Sequence, residues 1–194
     1  MSTETDRSPL RTGIAQLADP SFARLFSARL ISAFGSHLAL IAIAFGVLEL
    51  TGSSSQMALV MASQTTAQVL GTLFGGALAD RWSRQRMLVL GEWLAGTSQT
   101  VIAVLLLTGA AEVWHLMLLM AVNGIAFALV FPAAIGLVPL VVRRENLQAA
   151  NALLSLAQSG AFALGGGAAA LIVGVAGGGS NVTGAGWAIA LDAA

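Results

Sequence analysis

The sequence predicts an all-α, polytopic membrane helix bundle with five transmembrane helices and a truncated sixth. Three observations carry this prediction. Only 9% of the 194 residues are Asp, Glu, Lys or Arg, against about 25% in an ordinary soluble domain, too few to give a fold of this size a charged surface. The chain is 57% hydrophobic, with a mean hydropathy of +0.84. Its apolar residues also fall into runs of about 20 or more, the length a helix needs to cross the bilayer core. The same balance excludes a disordered chain, a coiled coil and a nucleic-acid binder. With no cysteine, disulfide frameworks, thiolate metal sites and cysteine nucleophiles are excluded too. The partner that composition implies is the lipid bilayer.

Residues 1–18 read as a polar N-terminal tail, and the transmembrane bundle as 19–194. Asp19-Pro20 marks a helix start, with Asp at the N-cap and Pro at the first helical position. Phe22, Leu25 and Phe26 follow at helical spacing, an apolar face suited to the membrane surface. The first span covers about 30–50; it is too long for a signal-peptide core and more spans follow it. The second, about 57–79, opens with Ser53 and Gln56 at capping-box spacing. The third runs over about 87–110. The fourth, about 114–142, is interrupted by Pro132 and Pro139, which free carbonyls and permit a kink. The fifth covers about 149–175, and after the glycine-rich loop Gly177–Gly184 a partial sixth covers 185–194. Small residues recur four apart at Gly71, Gly75 and Ala79, and again at Gly166, Ala170 and Gly174. Such ridges read first as close helix packing.

Orientation follows from the positive charges, all nine of which are arginines. Arg7, Arg11, Arg24 and Arg29 lie before or at the start of the first span, Arg81, Arg84 and Arg86 between the second and third, and Arg143 and Arg144 between the fourth and fifth. The alternate connections carry none. The positive-inside rule therefore puts the N-terminus in the cytoplasm.

Polar side chains inside spans are costly and so carry information. Ser32 and Ser36 share a face of the first span, with His37 beside them. Gln64, Gln68 and Thr72 form a stripe on the second, Asn151, Ser155 and Gln158 another on the fifth, and Asn123 lies mid-span on the fourth. Facing inward, these stripes line a wet, uncharged cavity, which makes Ser36, His37, Gln64, Gln68, Asn123, Asn151 and Gln158 the candidate pathway residues. Hydrogen bonding between helices is the alternative for each. His37 is the one in-span side chain whose ordinary titration range lies near neutral pH. Glu49, Glu92 and Asp192 stand isolated in apolar sequence, Glu49 at the interface and Glu92 about one turn inside the third span, in reach of the arginines. No carboxylate pair, metal cluster or Ser/His/Asp set is spaced for hydrolysis, so the chain is read as a non-enzyme needing no cofactor.

The sharpest local feature is the stretch from Gly76 to Arg86, GALADRWSRQR. Asp80 falls at the C-terminal end of a helix, where the macrodipole disfavours an anion; arginines or another helix's N-terminus must compensate. This stretch resembles the signature that the major facilitator superfamily carries between its second and third helices, with Ser83 in place of the second glycine. Thr51-Gly52-Ser53, Phe131-Pro132-Ala133, Asn146–Leu153 and Trp187–Asp192 are similar to further parts of that family, in its enterobactin-exporter-like and macrolide-efflux-like branch. The resemblance implies a fold of twelve helices in two six-helix halves, of which this chain supplies the N-terminal half and lacks the C-terminal one. It implies a cell-membrane transporter exporting a small, largely apolar molecule such as a drug or siderophore by alternating access, with protons as coupling ion. Gly76, Asp80, Arg81 and Arg84 are then the gating motif, with Asp80 latching the inner gate against the second half. The sequence departs from the family where Gly166 follows Gly165 in place of proline, where Met120 stands for an arginine before Gly124, and where Ser36 stands for an acid. A truncated, non-transporting membrane protein or assembly partner is the alternative function.

Overall fold

The structure, a computed structural model, describes residues 9–79, 82–176 and 180–193. Its helices are α1 (Pro9–Gln16), α2 (Pro20–Thr51), α3 (Ser54–Ala79), α4 (Arg84–Thr108), α5 (Val113–Ile135), α6 (Val138–Val141), α7 (Leu147–Ala176) and α8 (Asn181–Ala193), with a 3-10 turn at Arg144–Asn146. No strand occurs among the described residues. Pro20–Thr51, Arg84–Thr108, Val113–Val141 and Arg144–Val175 are long and apolar enough to cross a membrane. α3 has the length as well, at 26 residues, while Gln64, Gln68 and Thr72 dilute its apolar content.

Local chemistry sets the helix ends. Asp19 accepts a hydrogen bond from the Ser21 backbone N–H at 2.8 Å, and Pro20 follows at the first helical position. From there α2 continues unbroken for 32 residues. At 1.5 Å per residue that is about 48 Å, well beyond a hydrocarbon core of about 30 Å, so the surface helix and the first span are one rod. It stops at Gly52, whose φ of 62° is left-handed and suits glycine. Ser53 accepts from the Gln56 N–H at 3.4 Å, one arm of the expected capping box. α5 contains Pro132 and ends at Ile135; the chain resumes helix only at Val138, before Pro139. The expected kink is thus a break, because each proline removes a donor and crowds the preceding turn.

α5 lies between α3 and α4; α2 packs on α7 and α8; α8 also packs on α4 and α7, closing the bundle. Leu38, Ile43, Val47, Ile102, Leu106 and Ile189 form its main core. A second core of Phe22, Val138, Val142, Leu153 and Leu154 ties the start of α2 to α6 and α7. Within the stretch read as a polar tail, α1 packs on α7 so closely that a Cβ on Gly13 would lie 2.8 Å from the Ala149 carbonyl oxygen. The outer surface is apolar: Leu73, Trp93 and Leu171 are about 70% exposed, which suits lipid and not water. The glycine ridges behave unequally. Gly71 approaches Ala128, and Gly165 and Gly166 approach α2, but Gly174 has nothing near it.

Candidate translocation site

The expected pathway residues fall into two groups. The first lies where α3, α4 and α5 meet. A Cβ at Gly124 would collide with the Gln64 carbonyl oxygen and lie 3.0 Å from the Gln68 nitrogen, so glycine is what brings α3 and α5 together. At that contact Gln64 Nε2 donates to Asn123 Oδ1 at 3.4 Å. Asn123 Nδ2 donates to Ser98 Oγ at 3.3 Å, and the Ser98 hydroxyl donates to the Ala95 carbonyl at 2.9 Å. A neighbouring hydroxyl, Ser63, donates to the Met117 carbonyl at 3.0 Å. These groups satisfy one another across three helices. Ser98 and Gln99 are buried as well; in the sequence they stand side by side in the third span, with no four-residue repeat to mark them.

The second group lies along α2 and α7. His37 meets the Phe162 ring edge-on, with centroids 5.1 Å apart, and its Cβ would lie 3.2 Å from a Cβ at Gly165. Ser36 is exposed, as are Asn151, Ser155 and Gln158 on α7, whereas Leu153, Leu154 and Ala161 of the same helix are buried. Between α2 and α7 runs a groove of about 460 Å³ lined by apolar side chains, among them Phe26, Leu30, Phe34, Leu153, Leu156 and Leu164. The structure does not bring all seven pathway residues into one cavity. It pairs Gln64 with Asn123, with Gln68 beside Gly124, and leaves Ser36, His37, Asn151 and Gln158 to the α2–α7 side.

Of the expected gating motif, Asp80 and Arg81 lie outside the described residues, and Gly76 is in the last part of α3. Arg84 at the start of α4 donates through Nη1 to the Gly136 carbonyl oxygen at 2.6 Å. It thereby satisfies a carbonyl just past the end of α5, where a cation also complements the helix dipole. Ser83, the departure from the family signature, has a local use: its side chain caps α4 by accepting from the Arg86 N–H at 3.4 Å. At the other end of the bundle the Glu49 carboxylate accepts from the Asn181 N–H at 2.6 Å, capping α8. Glu92 does not reach an arginine among the described residues, where the single ion pair is the exposed Arg143–Glu145 at 3.9 Å.

Residues 11–191 match the transmembrane secretion effector family, a branch of the major facilitator superfamily. The chain belongs to that superfamily. Enterobactin exporter EntS of Salmonella typhi is 29% identical to it over 137 residues, which cover 71% of this chain and 33% of the exporter. The EntS proteins of Citrobacter koseri and Escherichia coli O1:K1 are 28% identical over the same coverage. The chain thus spans about a third of the length of the curated relatives it matches. No solved structure matches it. The helix bundle is accordingly a partial major facilitator fold in a multi-pass membrane protein, and the family points to a transporter rather than an enzyme.

Proposed function

We propose that this major facilitator chain is the N-terminal half-bundle of a cell-membrane exporter that moves a small, largely apolar molecule, of drug or siderophore type, by proton-driven alternating access. The exposed stripe of Asn151, Ser155 and Gln158 beside the apolar α2–α7 groove carries this reading. Amides turned to hydrocarbon are unfavourable, so that face meets water or a second half, and the groove offers an apolar substrate a surface next to polar side chains. The enterobactin exporters among the relatives support export as the direction. The nine arginines support a cytoplasmic N-terminus. Gly76, Asp80, Arg81 and Arg84 act as the inner gate, with the second six-helix half as partner.

The test is flux in inverted membrane vesicles from cells expressing the half-bundle together with a second six-helix half, using a lipophilic dye and a catecholate siderophore. Saturable uptake that follows an imposed pH gradient and stops with a protonophore is the expected result. Uptake equal to that of vesicles without the protein would contradict it.

A further inference from the structure

Asp192 is the strangest side chain in the bundle. It lies eleven residues into α8 and turns inward where α8 meets α2 and α4. One carboxylate oxygen occupies the space that a Cβ on the buried Gly35 of α2 would need. The other, Oδ2, is the one buried side-chain nitrogen or oxygen without a hydrogen-bond partner among the described residues.

Among the described residues no cation pairs with it. From α4 come the buried Gln99 amide and the Glu92 carboxylate; Arg84 is held at Gly136, and Arg86 is exposed at the far end of that helix. α7 carries no titratable side chain. On α2, Arg24 and Arg29 lie eleven and six residues before Gly35, His37 rests on Phe162, and Glu49 caps the opposite end of α8. Beside the seam, Glu92, Thr97, Thr100 and Ala193, with the exposed Trp93 at the lipid-facing side, line a groove of about 340 Å³ between α4 and α8. A negative charge on Asp192 would leave Oδ2 buried without a hydrogen-bond donor and, among the described residues, without a counter-ion. A proton on Oδ2 removes the charge and gives the carboxyl group a donor of its own.

We propose that Asp192 is the proton-carrying side chain of this half-bundle. It exchanges its proton with the groove that Glu92 lines whenever rearrangement of the α2–α4–α8 seam admits water. In that step the carboxyl O–H bond breaks and the proton passes to water or to the Glu92 carboxylate; no electrons are transferred. The proposal rests on the transport reading above and names the residue that couples it to the gradient.

Two arms separate the proposal from that reading. In native membranes a hydrophobic carbodiimide, which modifies protonated carboxyl groups in apolar surroundings, is applied over a range of pH and the adduct located by mass spectrometry. The expected adduct is on Asp192, is lost as pH rises, and is absent in Asp192→Asn. No adduct at Asp192 at any pH, or one that is independent of pH, overturns the proposal whether or not the protein transports. In vesicles, Asp192→Asn should lose gradient-driven uptake while keeping downhill exchange, and Asp192→Glu should restore the gradient response. An unchanged response to the gradient in Asp192→Asn overturns it as well. Should Asp192→Asn fail to insert, the wild-type adduct and Asp192→Glu decide the matter.

Discussion

The amide of Asn123 shows what a single polar side chain does in this bundle. It accepts from Gln64 and donates to Ser98, so three helices share one short chain of hydrogen bonds. Asn123→Ala should therefore leave the Gln64 amide without its acceptor and Ser98 with only its bond to the Ala95 carbonyl, at a cost of about 1 kcal/mol, the scale of interhelical hydrogen bonds in membranes; unfolding in mixed detergent micelles measures it. Gly124→Ala is expected to be worse, by roughly 1–3 kcal/mol, because its methyl group would strike the α3 backbone at Gln64. Equal stability of Gly124→Ala and wild type would show that the α3–α5 seam is looser than described. At this scale the sequence was informative but incomplete. Gln64 and Asn123 stood out because amides are rare in apolar runs. Their pairing depends on Gly124 letting two backbones approach, a distance that no spacing within either helix encodes. Asp192 read as an isolated acid, since Gly35, Gln99 and Glu92 come to it from two other helices.

At the scale of elements, the helix ends were the most legible features, because capping chemistry is local. Asp19-Pro20 begins α2, and Ser53 caps α3, as the residue types require. The start of α8 at Asn181 was less legible, because its cap is the Glu49 carboxylate on another helix. At the end of α5, Arg84 of α4 satisfies the Gly136 carbonyl at the break. Arg84→Ala should loosen that break, seen as faster amide hydrogen exchange through Gly136–Val142 with the centre of α5 unaffected. Exchange no faster than wild type there would mean the contact contributes nothing to the end of α5. α1 had no sequence signature beyond its small residues; it depends on Gly13 fitting against α7.

For the whole molecule, composition and the length of the apolar runs settle the class, since no other solvent than lipid suits this surface. The proposed orientation is tested by single cysteines in a chain that has none of its own. Ser54→Cys and Ser180→Cys should react with an impermeant reagent outside intact cells, and Ser83→Cys should not; labelling at position 83 would reverse the topology. The arrangement of helices was not legible, because periodicity gives the face of a helix but not its neighbour. Thus the sequence placed seven polar residues in one cavity, while packing divides them between the α3–α5 seam and the α2–α7 face. In the proposed function this second face lines a water-filled pathway. Its most direct test is thiol accessibility in native membranes, with Asn151→Cys and Gln158→Cys on α7 set against Val104→Cys on the apolar outside of α4. A hydrophilic thiol reagent should modify positions 151 and 158, a transported molecule should slow that reaction, and position 104 should stay unmodified. Position 104 reacting as fast as 158, or 158 remaining inert, would contradict it.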